Sequence, residues 1–194
     1  VSLMSRCLRL LIAFDGGGYQ GWQRQAHGPT VQGELERALT TLCAHPVTVH
    51  GAGRTDAGVH ALGMVAHFHT VTTIPVAAFS KALNGLLPTD IRILAAVEAE
   101  VGFHSRFDAW GKTYRDDFCT AAIQLPSTRL YTAHRPGPFD PERIREPLAV
   151  LVGTHDFSSF ERTGSRDRTA THGRGAVRTL FRADCAPQPG RADC

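Results

Sequence analysis

Val47-Thr48-Val49-His50-Gly51-Ala52-Gly53-Arg54-Thr55-Asp56-Ala57-Gly58-Val59-His60-Ala61-Leu62-Gly63-Met64-Val65-Ala66-His67-Phe68-His69 sets two runs of strand character on either side of a loop bearing Gly, Thr and Asp. The first run, around 47 to 53, and the second, around 63 to 70, alternate apolar with polar residues as half-buried strands do. Before them, Leu8 to Phe14 reads as a strand closed by Asp15 and the glycines at 16, 17 and 18. Between that strand and the pair, Thr30 can cap a helix from Val31 to about Cys43. Its Leu35, Ala38, Leu39 and Leu42 form one apolar stripe. The glutamate of a strict capping box is displaced by one position, to Glu34 behind Gly33. After the pair, Pro75 opens a second helix, Val76 to Leu86, with Phe79, Ala82 and Leu83 inward. Ile91 to Val97 is the next strand. Strand-helix-strand-strand-helix-strand is the split βαβ order, so residues 1 to about 103 are expected to form one ferredoxin-like, RRM-like half of an α+β protein.

Beyond Phe103 the pattern restarts. A strand around Thr113 to Phe118 is expected, then a Pro-rich basic loop from Pro126 to Pro138, a helix from Pro141 to Val152 and a strand from Arg178 to Cys185. A second module of the same kind needs a further strand, helix and strand, so residues 104–181 read as an incomplete second half. In residues 182–194 the tetrapeptide Arg-Ala-Asp-Cys occurs twice among Pro and Gly, the composition of an unfolded tail.

A chain of 194 residues can bury a sizeable core. With 21 Lys and Arg against 18 Asp and Glu, the net charge of +3 permits a nucleic-acid partner without requiring one. The distribution says more: Arg162, Arg166, Arg168, Arg174, Arg178 and Arg182, with Gly164, Gly173 and Gly175 among them, make a basic stretch suited to following phosphates, or a solvated surface loop. Five cysteines lack any Cys-x-x-Cys spacing, which points to neither a disulfide framework nor a thiolate metal site. His67 and His69 share a strand face as two metal ligands would, but no third ligand stands at a fitting spacing and no metal is expected. There is no apolar run of membrane-spanning length and no signal-peptide core, so a reducing cytoplasm is the default expectation.

In locally extended backbone, residues two apart project to one side, so Arg54 and Asp56 are expected to line one cavity and to be electrically coupled. A neighbouring cation favours the ionised carboxylate, which leaves Asp56 available as a nucleophile at neutral pH. An Asp beside Thr and Gly also serves commonly as a turn residue bonding its own backbone.

The stretch from Arg54 to Ala61 resembles the catalytic motif of the TruA-type tRNA pseudouridine synthases, R-T-D-x-G-V-H-A followed by a G-x-V-x-H-F strand. Upstream, Phe14-Asp15-Gly16, Gly21-Trp22-Gln23-Arg24-Gln25 and Thr30-Val31-Gln32-Gly33-Glu34-Leu35-Glu36 are similar to the family's opening strand, loop and first helix. Downstream, Leu83-Asn84-Gly85-Leu86-Leu87-Pro88, Phe103-His104-Ser105-Arg106-Phe107-Asp108-Ala109 and Lys112-Thr113-Tyr114-Arg115 follow in family order. Val152-Gly153-Thr154-His155-Asp156-Phe157 and Val177-Arg178-Thr179-Leu180 complete a resemblance that runs nearly the whole chain.

The resemblance implies two ferredoxin-like halves with a catalytic cleft between them, and conversion of uridine to pseudouridine in the anticodon stem-loop of tRNA. Asp56 would act at the ribose C1′, either by attacking it or after a proton leaves the ribose. Arg54 would fill the place of the extruded base, and Tyr114 would stack on that base and assist proton transfer, its other reading being core packing. His60 is read either as a contact to RNA or as a histidine bonded within its turn. Arg24, Lys112, Arg115, Arg162, Arg166 and Arg168 are the further RNA-contact candidates. Nothing is consumed in the reaction, so no cofactor is implied, and family members pair as homodimers.

Three departures stand out. Met64 replaces a Gln, Asp116 replaces the second aromatic of a Y-R-Y, and the family's F-L-x-x-M-V-R helix is not found. The last leaves a second reading, a truncated or frame-shifted copy that binds tRNA without turning it over. Asp156 reads as a turn or cap residue.

Overall fold

Strand β1 (Arg6–Phe14) turns Leu8, Leu10, Ile12 and Phe14 into the core and Arg9 and Leu11 outward, the period-two pattern of a strand with one covered face. In the computed structural model, which describes residues 5–160 and 176–187, this strand is central. It pairs antiparallel with β3 (Ala61–Thr70) on one side and with β4 (Ile91–Ala99) on the other. The short β2 (Val49–Gly51) adds to the free side of β3, giving the sheet order β2-β3-β1-β4.

Helix α1 (Val31–Cys43) starts where the sequence places it. Thr30 holds an extended backbone and its Oγ1 accepts the Gly33 N–H at 3.2 Å. The helix ends at Ala44, in left-handed conformation at φ 58°. Helix α2 (Val76–Leu86) begins after Pro75, which supplies no side-chain cap. Val31, Leu35, Ala38 and Leu39 of α1 join Phe79 and Leu83 of α2 over Leu8, Leu10, Ile12, Ala66 and Phe68 of the sheet, forming a single core. Each large side chain fully buried there contributes roughly 1.5–3 kcal/mol of transfer free energy, which is what holds both helices to one face. Asn84 fixes α2 against β4 twice, donating to the Ile93 carbonyl at 3.0 Å and accepting its N–H at 2.8 Å.

Contacts divide the chain into two compact units, residues 1–114 and 115–194. The first runs past 103 because the segment Phe103 to Phe107 lies on the sheet: Ser105 is 2% exposed and bonded to residues of β2 and β3.

The described residues of the second unit bury few side chains. Its strands β5 (Phe118–Cys119) and β6 (Ala133–His134) form a parallel pair, and β7 (Gly153–Asp156) and β8 (Val177–Leu180) an antiparallel one. Helix α3 (Pro141–Leu151) is capped by Asp140, which accepts the Glu142 N–H at 3.0 Å, and buries no residue. Cys119, Thr132 and Ala176 are its buried side chains among the described residues.

Several expectations need correction here. The strand at 113–118 shrinks to Phe118–Cys119. Arg115, Asp116 and Asp117 interrupt it with charge and low strand preference, and Arg115 pairs with Asp117 at 3.1 Å. Val177–Leu180 is shorter than the expected run to Cys185, and Gly153–Asp156, not foreseen as a strand, is its partner. Asp156 caps its own turn, accepting the Ser158 N–H at 2.8 Å. Arg162, Arg166 and Arg168 lie outside the described residues. Among those described, no helix is long and apolar enough to cross a membrane.

Candidate active site

The loop from Gly53 to His60 bulges between β2 and β3, and its backbone is tied to the segment that follows β1. Trp22 donates its N–H to the Thr55 carbonyl at 3.0 Å, and Gly58 donates to the Tyr19 carbonyl at 3.3 Å. Within the loop, the Val59 N–H closes a turn on the Asp56 carbonyl at 3.2 Å. Two glycines make this contact sterically open. A Cβ on Gly21, whose φ is +88°, would stand 2.5 Å from the Thr55 oxygen, and one on Gly16 would stand 2.1 Å from the Val59 oxygen.

Below the loop, Trp22 is 3% exposed and its indole fills the space that a side chain on Gly51 would need. Tyr19 is buried and donates its hydroxyl to Asp90 at 2.7 Å. Burial, reinforced by Asp90, raises the pKa of that phenol and keeps it a neutral structural donor. His60 Nδ1 lies 3.0 Å from Asp15 Oδ1 and 3.2 Å from the Gly16 nitrogen. It donates to the carboxylate when that nitrogen carries a proton and accepts the Gly16 N–H when it does not. In either state it locks the end of the loop to the turn after β1.

On this support Arg54, Thr55, Asp56 and Ala57 line an open depression of about 530 Å³ with Gln20, Gln23 and Gln25. Arg54 and Asp56 are both exposed, and no hydrogen bond joins them among the described residues. The expected sharing of one cavity is therefore seen, without the direct ion pair. The Thr55 hydroxyl is buried and unpartnered among the described residues.

A second depression, about 440 Å³, shares Gln23 and Arg54 with the first. Its wall includes Trp22, His104, Arg106, Phe107 and Lys112. The Lys112 head lies over Gly53, and shielding there, followed by the nearby Arg106 charge, lowers its pKa. Three cations, an exposed ring and amide side chains make this surface suited to a polyanion with flat bases.

Other sequence candidates are placed less centrally. Tyr114 is 81% exposed and lines neither depression, so core packing is not its role within the first unit. Arg24 pairs with the buried Glu36 at 2.7 Å while most of its side chain stays exposed. Glu36 also accepts the Val49 N–H and a Gln32 amide proton, which joins α1 to β2. Met64 packs partly on the core, and Asp116 is exposed. His67 is buried with His50, His69 and His104 around it, yet among the described residues no three His, Cys, Asp or Glu are arranged to hold a metal. Arg106 and Phe107 were not singled out from the sequence. The signal was present in the alternation of aromatic and cationic residues through Phe103-His104-Ser105-Arg106-Phe107.

Comparison with known proteins shows the family of the chain. Residues 10–108 match the family model described as tRNA pseudouridine synthase. The tRNA pseudouridine synthase A 1 of Desulfotalea psychrophila is 52% identical over 178 residues, covering 92% of this chain and 71% of that protein. The tRNA pseudouridine synthase A of Geotalea uraniireducens is 44% identical over 181 residues, 93% of this chain and 72% of its own length. That of Solibacter usitatus is 41% identical over 191 residues, 96% and 76% respectively. A family model spanning half the chain and similarity at this level over more than nine-tenths of it lead to one conclusion: the chain belongs to the tRNA pseudouridine synthase family.

Proposed function

We propose that this chain isomerises uridine to pseudouridine in the anticodon stem-loop of tRNA, with Asp56 as the nucleophile. The observation that carries the proposal is the exposed Asp56 carboxylate, without a hydrogen-bond partner among the described residues, in a depression beside Arg54 on a loop whose backbone is tied down on both sides. The reaction breaks the bond from ribose C1′ to uracil N1, turns the base and closes a bond from C1′ to C5. The C5 proton leaves and N1 gains one, so atoms balance without a cofactor. Positive charge grows at C1′ as the first bond breaks, and a carboxylate there stabilises it or bonds to it.

Extruding the base costs a few kcal/mol, which phosphate contacts made elsewhere must offset. Arg54 borders both depressions and so can occupy the emptied place in the stack while its guanidinium bonds phosphate oxygens. Lys112 supplies charge next to it, and Arg24 and Arg115 keep exposed guanidinium surface beyond their carboxylate partners. The exposed ring of Tyr114 is free to stack on the turned uracil. His60 serves by holding the loop, with any RNA contact secondary. Pairing of two copies around one tRNA is part of the proposal, and sizing the purified protein tests it.

The few side chains buried among the described residues of the second unit favour a second reading, in which the chain binds tRNA but does not turn it over. Release of tritium from C5-labelled uridine in tRNA separates the two. Release that is lost in Asp56→Asn supports the first, and salt-sensitive binding without release supports the second.

A further inference from the structure

The outer face of the sheet, opposite the two helices, is crossed by a strap, Phe103 to Phe107. Three side chains and one backbone carbonyl of the sheet hold it. The Ser105 N–H donates to His67 Nδ1 at 3.1 Å, and the Ser105 hydroxyl donates to the His50 carbonyl at 2.7 Å. The Cys7 thiol reaches the Phe103 carbonyl at 3.9 Å, and the Arg9 guanidinium lies 5.7 Å from the centre of the Phe103 ring. His67 is 2% exposed and sits at the middle of this arrangement. Its ring stacks on His50 at 5.0 Å and meets His104 edge-on at 4.7 Å. His69 from its own strand, 5.7 Å away, and Arg9, its neighbour across the β1–β3 ladder, complete the titratable and charged groups around it.

Three residues of the strap, His104, Arg106 and Phe107, line the basic depression beside Arg54. We propose that His67 is a positioning residue for RNA: as a neutral acceptor buried beneath the strap, it fixes Ser105 and so sets Arg106 and Phe107 on the wall where the polynucleotide binds. This rests on the proposed RNA function. A protonated imidazole would lose the acceptor that Ser105 needs and would face three other histidines and Arg9. Burial, and then His104, His50 and His69, push the His67 pKa down to about 4, which keeps that acceptor at neutral pH.

The test uses the whole chain carrying His67→Leu, His67→Asn or Ser105→Ala. Amide exchange of residues 103–107 is measured in the free protein, and KM and kcat are measured on tRNA by tritium release. In His67→Leu the Ser105 amide should exchange at least about tenfold faster and KM should rise about tenfold, while kcat stays within about twofold. The Asn variant, whose Oδ1 can accept the same N–H, should recover most of both. If His67→Leu does not fold, Ser105→Ala, which removes the hydroxyl that donates to the His50 carbonyl and stands 3.0 Å from His67 Nδ1 but keeps the Ser105 N–H, should show the same signs at smaller size. Unchanged exchange at 103–107, an unchanged KM, or a fall in kcat at constant KM would overturn the proposal. The exchange measurement needs no catalysis, so it fails or succeeds independently of the assignment of Asp56.

Discussion

Four glycines separate the two ways in which the active loop depends on close packing. Gly21 has both a positive φ of +88° and a hypothetical Cβ 2.5 Å from the Thr55 oxygen. Ala there costs about 1–2 kcal/mol for the left-handed backbone. It must also push the loop away, weakening the 3.0 Å bond from Trp22 to Thr55 at about 1 kcal/mol more. Gly21→Ala should therefore lose roughly 2–3 kcal/mol in urea unfolding. A displacement of the Asp56 loop by about 1 Å should lower kcat about 100-fold. Gly16→Ala carries only the collision, 2.1 Å from the Val59 oxygen, and should injure kcat more than its backbone geometry suggests. Gly58→Ala carries only the φ of +78°, with open space around it, and should cost about 1 kcal/mol with little change in kcat. Gly18→Ala has neither feature and should fall within about 0.5 kcal/mol of wild type. A Gly21→Ala protein with wild-type stability and tritium release would refute the idea that this backbone contact positions the carboxylate.

Three further outcomes follow from the geometry. His67 is held near pKa 4 in the fold against 6.5 in its reference state, so its stabilising effect is complete above pH 6.5 and is lost as pH falls toward 4. That loss is on the order of 3 kcal/mol, and urea midpoints measured at several pH values should show it flattened in His67→Asn. Glu36→Gln breaks a buried acceptor that serves Val49, Gln32 and Arg24, and should cost about 1.5–3 kcal/mol in the same unfolding assay. Replacing Arg54, Arg106 and Lys112 singly by Gln should each lower the slope of log affinity for tRNA against log salt by about 0.7–0.9, as read in filter binding at several salt concentrations.

The first unit was legible because its signals are local. Thr30 before Val31, Pro75 before Val76 and the alternation through Leu8 to Phe14 each name an element without reference to distant residues. The strap over the sheet was not, because Ser105 meets His67 across 38 residues, a contact that no local period encodes. Strand reasoning also misjudged Thr113 to Phe118. Apolar and aromatic residues there suggested a ladder, but consecutive charges at Arg115, Asp116 and Asp117 left Tyr114 exposed outside any strand. For the site, the two-residue spacing of Arg54 and Asp56 did place both on one depression. It could not reveal that Trp22, Tyr19 and the glycines after β1 form its floor, since that depends on two loops meeting.

The central claim is that the Asp56 carboxylate meets the ribose of an extruded uridine. Tritium release from tRNA labelled at uridine C5, compared between wild type and Asp56→Asn with tRNA binding measured alongside, tests it most directly. The account predicts release by the wild type, a fall of about 10⁴-fold or more in the variant, and retained binding. Equal release from both proteins, or tRNA bound by the wild type with its label intact, would contradict it.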